Sequence, residues 1–453
     1  MSNFIIIVSD EHNPFYSEPY GHHHVKTPNL NRLAKNGVVY DAAYCPSPLC
    51  MPSRSSFLSG YRVHETQVYS NCNIGLNTSL PSIGHSLKKQ NVFSIFIGKC
   101  DAYAPASELG FNRVFRAWDR KIPGDTNHRR NPLSIREEAF KRAYGYGIKE
   151  EAVYPDIKCI DEAITWLNTE AKLLTLPWVL IVNIGSPHFP HFTTEEFWNM
   201  YSDAEDLPLF DKNTESAQHP YSIALRKHFQ TEKFSEEQIR GLRRGYFACI
   251  SFLDNQVGRI MSAINSNGLK NNTNIAYTSD HGEMLGKFGM WWKCSMYEDS
   301  IRIPLIISGP DFPKGKRIKT PVDLHDLRAT IFDLTGTVQP PKWYGVSLKK
   351  IPEYDKSRII FSEYHGHGTP GSSFMIRKNE WKYIWYYNAP PQLFNLKYDP
   401  FELNNLANSK IEILNELDTE LRKICSPEIE NQRAENFINN QLHSLKYQSL
   451  CPI

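Results

Sequence analysis

The chain has little excess charge and no block of like charges. Its 453 residues carry 51 basic and 49 acidic side chains, so the net charge is +2 when the histidines are neutral. Proteins that bind nucleic acid through electrostatics usually have a basic excess, and tails that bind polyanions show runs of one sign. We therefore expect no nucleic-acid partner. A small, weakly anionic substrate is compatible with this charge balance.

The sequence also lacks a long hydrophobic run. The apolar stretch at residues 4–8 is too short to span a bilayer, and the N-terminal residues form neither a basic region nor a cleavable apolar segment. These absences predict a protein that has no membrane anchor and stays in the cytoplasm.

Paired cysteines are missing as well. The nine cysteines are scattered along the chain, are odd in number and include no Cys-x-x-Cys pair. This pattern favours reduced thiols over a disulfide framework or a zinc site. Reduced thiols agree with a cytoplasmic location.

Polar groups follow four short apolar runs of the strand type. The runs lie at residues 4–8, 92–97, 178–184 and 274–278, and the polar groups at 9–12, 98–101, 186–188 and 280–283. Open α/β sheets bind ligands just beyond the carboxyl ends of their strands. The sequence therefore predicts a metal-and-anion site at one edge of a parallel sheet.

A cysteine stands at the predicted start of a helix. Residues 47–54 are Ser-Pro-Leu-Cys-Met-Pro-Ser-Arg, which places Arg54 one turn after Cys50. The N-terminus of a helix offers unpaired N–H groups and a partial positive charge to an anion. Alone, such a cysteine is more often a small buried residue than a nucleophile.

Several motifs in consistent order resemble those of the sulfatases of the alkaline phosphatase superfamily. Residues 50–54 match the signature Cys-x-Pro-Ser-Arg at every fixed position. Further matches lie at 27–33, 279–286, 291–293, 302–305, 381–384 and 392–406. The resemblance spans roughly residues 3–410. It is closest to the choline-sulfatase and phosphonate-monoester-hydrolase branch, because of Ser-Pro-Leu-Cys, the Asp280–His281 pair and Trp292–Lys293.

The alternation of strand-like and helix-like stretches predicts an α/β fold, an alkaline-phosphatase-like sandwich with a mostly parallel central sheet flanked by helices. We expect a catalytic domain at 1–345 and a C-terminal subdomain at 346–424, a smaller antiparallel sheet with one helix. The polar segment 121–151 is predicted to be an insertion near the mouth of the site. The tail at 425–453 predicts a homo-oligomer, because similar enzymes use such tails to embrace neighbouring subunits.

The resemblance implies a divalent cation held by Asp10, Glu11, Asp280 and His281, together with residue 50. Three carboxylates favour Ca²⁺, and one imidazole also admits Mn²⁺. The family further implies that a maturation enzyme oxidises Cys50 to formylglycine. In the family, one hydroxyl of the hydrated aldehyde attacks sulfur and the other later expels sulfate.

Other residues take their expected roles from the same resemblance. Arg54 would position and polarise the nucleophile, and Lys99 and Lys293 would donate to it and to the ester oxygens. We expect His188 to protonate the leaving alcohol, with His191 as its rival.

Asn71 matches a polar position that would contact a nonbridging oxygen of the substrate.

Two departures from the family pattern concern the substrate. Most sulfatases have Lys-x-His where this chain has Lys99-Cys100-Asp101, so either Asp101 binds a cationic substrate group or it alters proton transfer. Many relatives have His or Arg at the position of Phe288, a change that would alter the polarity of the pocket.

The sequence thus predicts a sulfatase, a sulfuric ester hydrolase that acts on a small organic sulfate ester. A phosphonate monoester or phosphodiester hydrolase on the same site is the alternative. A third interpretation, from another class, is a silent anion-binding protein in which Cys50 remains a thiol.

Overall fold

The structure of the protein is a computed structural model. It describes residues 1–72, 79–120, 129–136, 138–201 and 206–450, and from residue 444 onward only the main chain is considered. In these parts of the chain no helix is long and apolar enough to cross a membrane.

The strands of the described residues alternate with helices over the first three quarters of the chain. In chain order the strands are β1 (Asn3–Asp10), β2 (Gly37–Tyr40), β3 (Ala43–Tyr44), β4 (Phe93–Lys99), β5 (Arg113–Trp118), β6 (Tyr146–Ile148), β7 (Trp178–Pro187), β8 (His191–Thr193), β9 (Thr273–Ser279), β10 (Arg302–Ile303), β11 (Leu305–Ser308), β12 (Lys316–Ile318), β13 (Val322–Asp323), β14 (Ile359–Tyr364), β15 (Ser373–Lys378), β16 (Trp381–Tyr386) and β17 (Gln392–Asn395).

The α-helices vary widely in length. They are α1 (Pro28–Lys35), α2 (Cys50–Ser59), α3 (Val63–Thr66), α4 (Ile83–Lys89), α5 (Tyr154–Thr169), α6 (Glu195–Asn199), α7 (Pro220–Phe229), α8 (Glu236–Ser266), α9 (Glu298–Ile301), α10 (Leu324–Thr335), α11 (Ile411–Ile424) and α12 (Pro427–Leu450).

The central sheet has eight strands in the order β12-β2-β11-β9-β1-β7-β4-β5. Strand β1 lies between β7 and β9 and pairs with both in parallel. Only β11 runs antiparallel to its neighbours in this sheet. The predicted mostly parallel sheet is thus confirmed.

Both faces of the central sheet are covered. All eight residues of β1 are buried, as expected of a strand with helices on each side. Its alternate side chains enter two cores, because successive residues of a strand point to opposite faces. Ile6 belongs to the larger core, and Ile5 and Ile7 belong to the core that also includes residues of α5 and α8.

The C-terminal part contains the predicted small antiparallel sheet, ordered β14-β15-β16-β17. Helix α11 covers one face of this sheet through Leu417 and Leu421. Helix α12 occupies much of the segment predicted as a tail. Its Ala434 packs on Val63 and Tyr69 of the same chain. This half of the segment therefore contacts its own subunit, and a role in oligomerisation stays a prediction.

Candidate active site

The carboxyl ends of β1 and β9 bring two predicted acids together. Ser9 pairs with Ser279 in the parallel ladder, so Asp10 and Asp280 leave the sheet side by side. The Asp280 main-chain N–H donates to the Ser9 carbonyl at 3.2 Å, and the Glu11 N–H donates to Asp280 Oδ1 at 3.1 Å. Backbone pairing therefore fixes the distance between residues that are 270 positions apart in the sequence.

Cys50 is the first residue of α2 and is fully buried. Its Sγ lies 3.3 Å from His281 Nε2 and 3.9 Å from Asp10 Oδ1. The sulfur therefore stands beside the acids at the sheet edge, as the sequence predicts.

Arg54, one turn further along α2, binds both carboxylates. Its Nε donates to Asp280 Oδ2 at 2.7 Å, and its Nη2 donates to Asp10 Oδ2 at 3.1 Å. A third nitrogen, Nη1, donates to Asn183 Oδ1 at 3.1 Å. The guanidinium thus ties α2 to the ends of β1, β7 and β9.

Two lysines complete the charge balance. Lys99 Nζ lies 2.6 Å from Asp10 Oδ2, and Lys293 Nζ donates to Glu11 Oε2 at 3.1 Å. Burial opposes charge on these acids, but the neighbouring cations prevail. The pKa of Asp10 falls well below its usual value, chiefly through Lys99, and that of Glu11 falls to about 2, chiefly through Lys293. Both carboxylates are therefore ionised at neutral pH.

The same cations act on residue 50. Burial and the charge of Asp10 raise the pKa of the Cys50 thiol, but Lys293, Lys99 and His281 lower it further, so it lies well below its usual value. Burial lowers the pKa of His281, yet the charge of Asp280 outweighs it and the pKa rises to about 9. The site therefore stabilises a negative charge at position 50.

Four of the five predicted metal ligands form one group. The donor atoms of Asp10, Cys50, Asp280 and His281 all lie within 4.8 Å of one another. Glu11 instead forms a second such group, with Asp10 and His188. Among the described residues, the buried Oε1 of Glu11 finds no hydrogen-bond donor. Such a set of carboxylate oxygens and one imidazole can hold a divalent cation.

The sulfatase family model matches residues 2–337, and the model of the C-terminal region of N-sulphoglucosamine sulphohydrolase matches residues 286–426. The chain belongs to the sulfatase family. This confirms the family and the class of sulfuric ester hydrolase predicted from the sequence.

Two relatives of this sulfatase are similar over most of their length. Arylsulfatase K of Danio rerio is 31% identical over 451 residues, which cover 93% of this chain and 83% of the relative. Choline-sulfatase of Rhizobium meliloti is 32% identical over 436 residues, which cover 90% and 82%. The structure of the phosphonate monoester hydrolase of Agrobacterium radiobacter has a TM-score of 0.76 at 20% identity, covering 93% and 95%. This last similarity shows the shared fold.

The two histidines of the sulfatase's β7–β8 region differ in position. His188 Nε2 lies 3.3 Å from Glu11 Oε2, and its ring faces the cleft with 31% of the side chain exposed. His191 is fully buried; its Nδ1 contacts the Leu242 carbonyl, and burial lowers its pKa to about 4. The geometry therefore favours His188, and its catalytic role stays a prediction.

Asp101 already has cationic partners within the protein. The Arg120 side chain donates to both of its oxygens, from Nε at 2.9 Å and Nη2 at 2.6 Å. Lys99 Nζ lies 3.4 Å away. Burial raises the pKa of Asp101, but Lys99 and Arg120 lower it further, so the carboxylate is charged and paired. Where most sulfatases have an imidazole, this chain uses a carboxylate to hold an arginine at the cleft.

Two further sequence predictions have a structural context. Asn71 lines the cleft, and its Oδ1 accepts a hydrogen bond from the Met51 N–H at 3.1 Å, which orients the start of α2. Phe288 is fully buried, and its ring packs against Tyr297 at a centroid distance of 5.0 Å. It does not line the cleft, so its effect on pocket polarity is not supported.

The cleft beside Cys50 is also lined by residues to which the sequence assigned no role. It has a volume of about 90 Å³. The unassigned residues that line it are Leu49, Arg120, Arg136, Arg142, Phe189, Phe229, Trp292, Cys294 and His367. Arg136 and Arg142 come from the polar segment that we predicted near the mouth. The available signal was the abundance of arginine in this segment. The sequence did not indicate which of these arginines would face the cleft.

Proposed function

We propose that this sulfatase hydrolyses a small organic sulfate ester to an alcohol and sulfate, with residue 50 as formylglycine produced by a maturation enzyme. The observation that carries the proposal is the position of Cys50. It begins the Cys-x-Pro-Ser-Arg helix and lies 3.3 Å from His281 Nε2, and the preceding residue, Leu49, lines the cleft. A nucleophile held there is preorganised for attack on a bound anion.

A divalent cation fits the donor set of Asp10, Asp280, His281 and residue 50, with Glu11 as a further oxygen donor. Ca²⁺ suits the carboxylates best, and Mn²⁺ is the second choice because of the imidazole. The Oε1 of Glu11 supports this assignment, because no N–H or hydroxyl group of the described residues donates to this buried oxygen and a ligand would satisfy it. When bound, the ion supplies positive charge that offsets the negative charge of the ester.

Lys99 and Lys293 would bind the oxygens of the reacting sulfate. Burial opposes the charge on both lysines, but nearby anions raise their pKa values above the usual range. Asp10 is the largest contributor at Lys99, and at Lys293 the unmodified Cys50 is followed by Glu11 and Asp10, which remain once residue 50 is formylglycine. Both ammonium groups are therefore charged at neutral pH. Fixed charges in a site shielded from water stabilise the charge that develops in a transition state.

Arg54 would act as a positioning residue. Its donors are directed at Asp280, Asp10, Asn183 and the Lys99 carbonyl. The guanidinium therefore holds the two acidic strand ends and α2 in one geometry. This assigns Arg54 an indirect role instead of the direct polarisation that the resemblance implies.

His188 would protonate the leaving alcohol. Its Nδ1 is 2.5 Å from the Phe189 carbonyl, so Nδ1 carries a hydrogen and donates it. In the imidazolium form, Nε2 also carries a proton, and this atom faces Glu11 and the cleft. A proton held at that atom can pass to the oxygen that leaves sulfur.

The test combines product assays with the mass of the peptide that contains residue 50. The chain is produced with and without a formylglycine-generating enzyme and incubated with Ca²⁺ or Mn²⁺. Phenyl sulfate, phenyl phosphonate and a phosphodiester are assayed on each preparation. We expect sulfate release only where the peptide mass shows that the thiol has become an aldehyde, and none from Cys50→Ala.

Preferred hydrolysis of phenyl phosphonate or the phosphodiester would instead support the alternative reaction. If Cys50 remained a thiol in the presence of the maturation enzyme and no substrate were hydrolysed, the silent anion-binding interpretation would replace the proposal. Exposing unconverted and converted protein to the same substrates separates failed maturation from failed chemistry.

We also propose a cytoplasmic location and a homo-oligomer. The eight described cysteines are all free, which suits a reducing compartment. Fractionation of cells that produce the protein tests the location. Light scattering of the purified full chain tests the oligomer, and a monomer over the micromolar range would contradict it.

A further inference from the structure

Strand β7 bulges just before His188. Val8 of β1 pairs with Asn183 of β7. The next β1 residue in the ladder, Asp10, pairs with Pro187, so three residues of β7 lie opposite one residue of β1. Such a bulge redirects the chain and leaves main-chain groups without ladder partners. Polar main-chain groups that are shielded from water then need hydrogen-bond partners from elsewhere in the protein.

The carboxylate of Asp156 supplies these partners. Its Oδ1 accepts from the Gly185 N–H at 2.6 Å, and its Oδ2 accepts from the Ser186 N–H at 2.8 Å and from the Ser186 hydroxyl at 2.6 Å. Asp156 is 4% exposed and lies in the first turn of α5, where the helix dipole favours a carboxylate. Helix α5 contributes Ile160 and Ala163 to a core that also contains residues of β7, so the carboxylate is fixed relative to the sheet.

The turn that Asp156 holds also sets the position of His188. The His188 N–H donates to the Gly185 carbonyl at 2.9 Å, which closes the turn. The imidazole then lies with Nε2 3.3 Å from Glu11 Oε2 and Nδ1 2.5 Å from the Phe189 carbonyl. Because 31% of the His188 side chain is exposed, packing alone constrains it less than a buried ring. The main chain before it therefore has a large part in directing the ring.

We propose that Asp156 is a positioning residue for protonation of the leaving alcohol, because it fixes the main chain at residues 185–186 and thereby directs His188 Nε2. Asp156 is not among the described residues that line the cleft, so it acts through His188. The inference rests on the proposed function, in which the proton at Nε2 passes to the ester oxygen as the bond between that oxygen and sulfur breaks. Displacing a catalytic group by about 1 Å can cost about 10²-fold in rate.

Asp254 provides a matched control. It is 2% exposed, and its carboxylate also accepts three hydrogen bonds, from the Asn29 N–H at 3.0 Å, the Asn29 side chain at 2.8 Å and the Leu30 N–H at 2.7 Å. These bonds join the start of α1 to α8 and involve no residue of the candidate active site. Asp254→Ala therefore removes as many buried hydrogen bonds as Asp156→Ala and leaves the turn before His188 intact.

The first experiment measures kcat/KM of the matured, metal-loaded enzyme for phenyl sulfate and 4-nitrophenyl sulfate. Phenoxide is a poor leaving group that benefits from protonation, whereas 4-nitrophenoxide leaves readily without a proton. We expect Asp156→Ala to lower kcat/KM for phenyl sulfate by about 10²-fold and that for 4-nitrophenyl sulfate far less, the pattern also expected of His188→Ala. Asp254→Ala should leave the ratio of the two values unchanged.

The second experiment combines Asp156→Ala with His188→Ala. Residues that act as a unit have non-additive effects. The double variant should therefore have the same kcat/KM for phenyl sulfate as His188→Ala alone. Circular dichroism and thermal melting verify folding.

Asp156→Asn and Ser186→Ala are measured in parallel in case Asp156→Ala does not fold. Each retains part of the hydrogen bonding at the turn, so each should change the substrate ratio in the same direction by a smaller factor. An equal fall for both substrates in every folded variant of this turn would overturn the role of Asp156 while the sulfatase function stood. Multiplied losses in the double variant would overturn it as well.

Two other outcomes concern the proposed function itself. If His188→Ala lowered kcat/KM equally for both substrates, the protonating role of His188 would be wrong, and the role of Asp156 with it. Absence of turnover of either aryl sulfate by the unsubstituted, matured enzyme would reject the sulfatase reaction as proposed.

Discussion

Two buried clusters of ion pairs have similar distances but very different surroundings. In the catalytic cluster, Lys99 lies 2.6 Å from Asp10 and Lys293 lies 3.1 Å from Glu11. A second cluster, which we call the interface cluster, joins β16 of the small sheet to α9. There Lys382 Nζ lies 2.6 Å from Glu402 Oε1 and 3.0 Å from Glu298 Oε1. Lysine–carboxylate geometry alone does not distinguish them.

Solvent exposure and the hydrogen bonding of the carboxylate oxygens do distinguish the two clusters. Lys382 and Glu402 are 0% exposed, whereas Lys293 is 9% exposed and opens to the cleft. In the interface cluster, the other Glu298 oxygen accepts from the Tyr44 hydroxyl, and the other Glu402 oxygen accepts from the Glu298 N–H. The catalytic cluster instead retains an oxygen of Glu11 to which no N–H or hydroxyl group in the described part of the chain donates.

This difference indicates two uses of buried charge. A closed network with every group paired fixes the position of the small sheet on α9, and breaking it leaves a charge without compensation. In an open network, a charged group can exchange its partner within the protein for a metal ion or a substrate. We therefore expect substitutions in the interface cluster to reduce stability and those in the catalytic cluster to reduce activity.

The largest expected effect is that of Asp10→Asn on activity. The substitution removes a charge that binds Lys99 and Arg54 and that would contact the metal ion. We expect kcat/KM to fall by about 10³-fold or more, because a metal ion in such a site supplies several kcal/mol and each ~1.4 kcal/mol is tenfold in rate. Sulfate release from phenyl sulfate measures this change.

The stability of the Asp10→Asn variant also tests the comparison between the catalytic and interface clusters. Arg54 keeps Asp280 and Lys99 keeps Asp101 as partners, so we expect a smaller loss of unfolding free energy than in the interface cluster. Urea denaturation measures it. A variant that kept near-normal kcat/KM, or that unfolded more readily than Lys382→Met, would contradict the distinction.

The next effect is the loss of stability in Lys382→Met. The substitution leaves Glu298 and Glu402 buried without their shortest ion pair, and breaking such a buried pair costs about 3–5 kcal/mol. The urea midpoint and slope give the change in unfolding free energy.

Lys378→Met on the neighbouring strand β15 is the control. Lys378 pairs with Glu416, which is 56% exposed, so this substitution should cost less than about 1 kcal/mol. Equal destabilisation by the two substitutions would show that the interface cluster is not the stabilising element we infer.

Metal removal should have an intermediate effect. A ligand that binds only the native state stabilises it by about 2.7 kcal/mol when its free concentration is about 100 times its Kd. We expect Ca²⁺ to raise the melting temperature of the chelated protein and to restore activity. Lys382→Met should retain this increment and Asp10→Asn should lose it. The same rise in both variants would place the ion elsewhere.

The sequence predicted which side chains meet at the sheet edge where a motif has a fixed order of residues. The runs that end at residues 9–12 and 280–283 indicated strand ends, and the geometry of parallel sheets then brought Asp10 and Asp280 together. Cys50 could be placed because its motif begins a helix. Predictions of this kind succeed because local structure and sheet topology determine where each strand ends and which strand ends lie side by side.

The partners of individual charges could not be predicted in the same way. Asp101 was open to two interpretations, and only the fold shows that Arg120 occupies both of its oxygens. Lys382 and Glu298 are 84 residues apart, and each alone resembles an exposed charged residue in sequence. Side-chain pairing across distant segments depends on packing, which neither composition nor periodicity encodes.

The smallest expected effect concerns a third buried pair, in which a histidine replaces the lysine. His64 Nδ1 lies 3.0 Å from both oxygens of Glu363, and His365 Nε2 lies 2.9 Å from Oε2. Burial lowers the pKa of His64, but Glu363 outweighs it and the pKa rises above 6.5, with smaller contributions from Glu430 and Glu65. Burial raises the pKa of Glu363, but His64 and His365 lower it well below its usual value.

Because the folded pKa of His64 is raised, its contribution to stability is fully present below the unfolded pKa and is lost as pH rises through the folded pKa. Glu363 stays ionised throughout this range. We therefore expect His64→Gln to cost roughly 1.5 kcal/mol near pH 6, the strength of a hydrogen bond between charged groups, and progressively less above neutrality. Urea denaturation of both proteins from pH 6 to pH 9 measures the difference. A cost of His64→Gln that stayed the same over this interval would contradict the role assigned to the His64–Glu363 pair.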